Sequence, residues 1–213
     1  MTFFQDFPVP PRPRQPRATR YIPPPWAGAP AHELPVAVNL GRFLHLTPTV
    51  VLTLKSADVY STGCLFTIGW LFRRGDQDAN AWSDLHHAFF QPGMGHRHGG
   101  TQQNNLMFGV EFPDGSKAST AHQPVPGFME PAVEPTPPVL ALHGGGGNGG
   151  DDELSGSGTL WLWPLPPVGD LRLVAQWTQF DVAETSVMLD GGALRDAAAG
   201  VQRFFPEEDT PER

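Results

Sequence analysis

Apolar and polar residues alternate along much of this chain with the period of a β-strand. In TVVLTLKSADVY, Val50, Leu52 and Leu54 fall on one face, and Thr49, Val51, Thr53 and Lys55 on the other. Period two over β-branched residues predicts a strand. CLFTIGWLF predicts a second, nearly all-apolar strand, with residues 56–63 joining the two as an antiparallel pair. LPVAVNL and RFLHL are shorter runs of the same kind. In LRLVAQW, Leu171, Leu173, Ala175 and Trp177 lie on one side and Arg172, Val174 and Gln176 on the other. In ETSVMLD, Thr185, Val187 and Leu189 share a face. GTLWLW is a further strand, with Trp161 and Trp163 on one face and Leu160 and Leu162 on the other. Apolar residues on both faces mean burial on both sides, or one face that meets a ligand or partner. Pro164 stops this strand, which predicts that its end lies at a sheet edge or corner.

Turn and cap chemistry punctuates the strands. Pro113-Asp114-Gly115 sits between NLMFGVEF and SKAST and predicts a hairpin. Asp78 caps a predicted short helix with Trp82, Leu85 and Phe89 at helical spacing. After Asp190 the period switches again. Ala193, Leu194, Ala197, Ala198 and Val201 form a helical apolar stripe. No regular βα alternation appears. The expected fold is all-β: an antiparallel two-layer sandwich, or an open barrel, with a short C-terminal helix.

Composition sharpens the boundaries. The chain has 24 Pro and 24 Gly in 213 residues, which argues against a mostly helical protein. Residues 1–32 hold nine prolines, with Arg12, Arg14, Arg17 and Arg20 against Asp6 alone. They are expected to form an extended or disordered proline- and arginine-rich arm. Phe3, Phe4 and Phe7 within it suit docking onto the body or a partner. Residues 33–206 are expected to form one β-rich domain, and residues 207–213 an acidic tail. Residues 123–138 hold six prolines and read as a long surface connection.

The net charge of −8 and the lack of a basic stripe make nucleic acid an unexpected partner. Apolar runs are too short for a membrane helix, and MTFFQDF lacks the features of a signal peptide, so a cytoplasmic protein is expected. The single cysteine, Cys64, excludes an internal disulfide and a multi-cysteine zinc site.

Three stretches carry candidate chemistry. VLALHGGGG (139–147) resembles the oxyanion-hole segment of α/β-hydrolase esterases. The chain has no Gly-x-Ser-x-Gly elbow and no histidine after the loop, so the reading as a plain hairpin or inter-sheet loop is preferred. The loop also lacks the ending of a phosphate-binding P-loop, and Asp151, Asp152 and Glu153 would repel an anion. His96-Arg97-His98 places two histidines at i and i+2, which on a strand share a face and suit a metal. The spacing resembles the first metal motif of cupins, with Gln102 where a ligand glutamate is expected and His122 as a further candidate. Trp161, Trp163 and Trp177 form the third feature, a candidate ligand or partner face.

FGVEFPDGSKAS, the glycine run, WLWPLPPVGDLRLVAQW and the alanine-rich terminal helix together resemble a β-rich family of uncharacterised actinobacterial proteins. The resemblance spans roughly residues 35–205 and implies no activity. The function expected is therefore non-enzymatic: a binding or interaction module, with a protein or a second copy as partner and no cofactor. The alternative is a cupin-like metal-binding protein or metalloenzyme holding one divalent ion at His96, His98, Gln102 and His122.

Overall fold

The computed structural model describes residues 23–90, 106–122, 134–143 and 146–205, without the side chains of residues 87–90 and His122. In chain order the first elements are β1 (Glu33–Leu34), β2 (Val36–Leu46), β3 (Val50–Val59), β4 (Cys64–Arg73), α1 (Ala79–Phe90), β5 (Met107–Glu111) and β6 (Lys117–Ser119). They are followed by β7 (Val139–His143), β8 (Gly147–Gly149), β9 (Glu153–Trp163), β10 (Asp170–Trp177), β11 (Val182–Asp190), α2 (Gly191–Ala197) and β12 (Gln202–Arg203).

The strands build an all-β, antiparallel two-layer sandwich with a short C-terminal helix, as the alternation predicts. One layer runs β2-β3-β4-β9-β7, with β8 continuing the β7 edge along β9. The other layer runs β11-β10-β5-β6. The layers meet at both sides. The Thr185 hydroxyl on β11 donates to the Leu44 carbonyl on β2 at 2.6 Å, and β6 lies beside β7. No barrel closes. A two-stranded ribbon of β1 and β12 is separate from both layers. Among the described residues, no helix is long and apolar enough to cross a membrane.

The core between the layers is the inward set of each strand. Leu171, Leu173 and Ala175 are fully buried and Trp177 is 4% exposed. Trp177 packs edge-on against Phe72 and Phe180, with ring centroids 5.1 and 4.6 Å away. At one end of the sandwich, α2 inserts Leu194 into the core. Asp190 caps this helix by accepting from the Ala193 N–H at 2.9 Å. At the other end, Asp78 caps α1 through the N–H groups of Asn80 and Ala81, and Trp82 enters the core. The Pro113-Asp114-Gly115 turn joins β5 to β6 as predicted, with Gly115 at φ 83°.

Pairing and burial refine three expectations. First, the connection expected over residues 56–63 is only the turn from Tyr60 to Gly63. The strand β3 continues to Val59 through a bulge that leaves Lys55 unpaired between the Leu54–Ile68 and Ser56–Thr67 pairs. The bulge flips the alternation, so Leu52 and Leu54 point inward before it, and Ala57 and Val59 after it. Second, β9 is an interior strand, paired with β4 on one side and with β7 and β8 on the other. Its end at Trp163 is a corner, from which the chain crosses to the second layer. Third, residues 23–32, assigned by their prolines to the arm, are ordered against the body. Trp26 is 3% exposed, and the Trp161 indole N–H donates to the Pro25 carbonyl at 3.0 Å.

Candidate functional site

The register of the six-stranded layer defines its outer face as a grid. One row runs Ala37, Asp58, Leu65, Trp161, Ala141. The next runs Asn39, Ser56, Thr67, Thr159, His143. Beyond the bulge come Phe43, Thr53, Gly69, Ser157, and then Leu46, Val51, Leu71, Ser155, Asn148. The face therefore has two halves with different chemistry.

The first half is capped. Residues 23–30 lie over the Trp161 row, where Trp26, Val139, Ala141 and Trp161 are buried away from the central core. Tyr60 adds an edge-on contact to Trp161 at 5.9 Å. Burial raises the Tyr60 pKa above its ordinary value, and the nearby Asp58 and Glu33 carboxylates raise it further.

Among the described residues, the second half is uncapped. It holds a shallow groove of about 600 Å³ lined by Thr53, Lys55, Gly69, Leu71, Ser155 and Ser157, among others. The floor is low because Gly69 has no side chain, and the Lys55 stem lies across it. A Cβ at Gly69 would sit 2.6 Å from Lys55 Cε. Toward β2 the floor rises into exposed apolar side chains, with Phe43 58% and Leu46 62% exposed. Thr53 is already engaged, donating to the Gly69 carbonyl at 2.9 Å. Among the described residues, Lys55 makes no ion pair, and the side chains of Asn148, Ser155 and Ser157 make no hydrogen bond. The groove thus offers one cation, three short polar groups and an apolar rim.

The outer face of the other layer carries a larger recess, but its charges answer one another. Glu111 accepts from Lys117 at 3.0 Å and from Arg172 at 3.4 Å, and Arg172 reaches Glu184 at 3.3 Å. The Lys117 hydrogen bond, foremost, holds the Glu111 carboxyl below its ordinary pKa. Such an exposed, mutually neutralised network is the usual solvated face of a sheet.

Of the residues singled out by sequence, those described do not form one site. Trp161 and Trp163 share the outer face, as the alternation predicts, with Trp161 beneath the 23–30 segment and Trp163 half-buried beyond it. Trp177 does not join them, because its strand belongs to the other layer and its ring faces inward. The three tryptophans therefore form no common surface. His96, His98 and Gln102 lie outside the described residues. His122 ends a single 3-10 turn, Thr120–His122, after β6. Among the described residues, no group of three or more His, Cys, Asp or Glu is placed to hold a metal. The glycine run is partly strand: β8 pairs with Gly156, Ser155 and Leu154 of β9, and the Ser157 N–H donates to the Gly146 carbonyl at 3.0 Å. Its glycines serve as sheet edge there.

Pattern analysis missed the open groove. Its signal is the outward set of β3, β4 and β9, where glycine and short hydroxyl residues replace the longer polar side chains usual on a solvated face. Comparison with protein-family models, curated proteins and solved structures gives no match for this chain.

Proposed function

We propose that the protein is a non-enzymatic binding module that takes an extended protein segment across the uncapped half of its outer face. The observation that carries this reading is the contiguity of Phe43, Leu46, Val51 and Leu71 with Lys55 and the unengaged Asn148, Ser155 and Ser157 groups. Exposed apolar side chains bordered by polar ones mark interaction surfaces on soluble proteins. The capped half of the same sheet already accepts a proline- and tryptophan-bearing segment, through an indole-to-carbonyl hydrogen bond and ring burial. A cytoplasmic setting suits the single cysteine, which is buried and makes no disulfide.

Selection of displayed peptides against the full-length protein tests the reading. Selected peptides should bind the wild-type chain and lose at least about tenfold in affinity, roughly 1.4 kcal/mol, on a Phe43→Asp/Leu46→Asp variant. Both side chains are mostly exposed, so the fold should tolerate the change. Peptides that bind the double variant as well as wild type would place the binding surface elsewhere.

A further inference from the structure

We infer that the uncapped half of the outer face is the docking site of the chain's own N-terminal segment, residues 3–7. The inference rests on the binding-module reading and names its occupant. In Phe3-Phe4-Gln5-Asp6-Phe7, three aromatic rings surround the only acidic residue that precedes Pro23. The groove presents the complementary set: an apolar rim at Phe43, Leu46, Val51 and Leu71, and one cation, Lys55, that makes no ion pair among the described residues. Asp6 placed beside Lys55 would set Phe4, two residues away on the same face of an extended segment, against the rim, with Phe3 and Phe7 at its margins.

Chain continuity favours this occupant over a foreign one. The described chain begins at Pro23, two residues before the Pro25 carbonyl that caps Trp161 on this same face. Ser157 lies about 13 Å along β9 from Trp161, at about 3.3 Å per residue. Fifteen residues lie between Phe7 and Pro23, and a proline-rich segment rising about 3.1 Å per residue covers about 50 Å from one to the other. The segment can therefore reach the groove with slack, and tethering raises its effective concentration there without any further contact. In that arrangement its four arginines, Arg12 to Arg20, would run toward the capped row, where Asp58 lies in register with Trp161 and Glu33 follows the cap. The rest of the chain carries 10 basic against 21 acidic residues, so the arm meets a body of opposite charge.

Cys64 makes a site-specific test practical, because it is buried and its thiol pKa is pushed up to about 12. A Gln5→Cys variant of the full-length chain then accepts a nitroxide label at one position. Methyl resonances of Leu46, Val51 and Leu71 should lose most of their intensity, independent of protein concentration. The loss should disappear in Phe3→Ser/Phe4→Ser/Phe7→Ser, a change outside the described residues. Lys55→Asp should weaken it, and Lys55→Asp combined with Asp6→Lys should restore it. Broadening centred on the Glu111–Arg172 face, or seen only between labelled and unlabelled chains, would overturn intramolecular docking. If the arm fails this test while selected peptides still require Phe43 and Leu46, the occupant is wrong and the binding surface stands. If neither binds, both readings fall.

Discussion

The indole N–H of Trp161 donates to the carbonyl of Pro25 at 3.0 Å, a bond that spans 136 residues of sequence. It fastens the first described segment onto the outer face of an interior strand. The ring is fully buried although it points away from the central core. Trp161→Phe removes the bond and part of the ring, and should cost about 1–2 kcal/mol in chemical denaturation. Trp163→Phe, at a half-buried position, should cost less. Equal losses at the two sites would mean that the cap contributes nothing to stability.

The turn beneath this tryptophan is equally tight. A Cβ at Gly63 would lie 2.3 Å from the Leu162 carbonyl and 2.8 Å from the Trp161 ring. Neither neighbour is the free end of a flexible chain, so strand and ring would have to move apart. Gly63→Ala should destabilise by about 1–3 kcal/mol, the usual range for overpacking. Gly28 in the cap has nothing within 4 Å of its absent Cβ, and Gly28→Ala should be near neutral. Thermal melts of the two variants decide this, and a neutral Gly63→Ala would show that the Tyr60–Gly63 turn is looser than it stands here.

Alkaline pH should weaken the fold through Cys64 and Tyr60. Burial pushes the Cys64 thiol up to about 12 from an ordinary value near 9. The folded state therefore keeps a proton that the unfolded state releases. Stability from this group is full below the unfolded pKa and is lost as pH rises toward the folded one, by about 1.4 kcal/mol per pH unit. The raised Tyr60 pKa acts in the same direction. Denaturation midpoints taken between pH 8 and pH 11 should fall, and Cys64→Ala should flatten the decline. An unchanged slope in that variant would remove Cys64 as its cause.

The parts of the fold legible in sequence are those governed by local chemistry. The inward set of β10, the Pro113-Asp114-Gly115 turn and the caps at Asp78 and Asp190 follow from alternation, turn residues and side-chain acceptors within a few positions. What could not be read depends on partners distant in sequence. The Lys55 bulge breaks the period that marks a strand, so Ser56 to Val59 looked like connection. Trp161 and Trp177 look alike on neighbouring strands, yet strand order sends one ring outward and the other into the core. Trp26 was the available signal for the docked cap, a large aromatic amid prolines that composition alone assigned to an arm. The groove needed register, because Phe43, Thr53, Gly69 and Ser157 come from four strands.

The helix that closes one end of the sandwich is fastened by polar contacts at both of its ends. Helix α2 has seven residues, too few to be stable alone, so its first turn must be held by its surroundings. The Asp190 carboxylate accepts from the Ala193 N–H, and Arg195 Nε donates to the Pro166 carbonyl at 2.9 Å. Leu194, 2% exposed, lies between these two attachments. Asp190→Ala should therefore cost about 1 kcal/mol, and Asp190→Asn, which keeps the acceptor, clearly less. Arg195→Ala on top of Asp190→Ala should cost more than the two single changes predict separately, because each attachment alone still seats Leu194. Denaturation of the four variants measures this coupling. Strict additivity would mean that α2 is held by Leu194 packing alone, with its two polar ends acting independently.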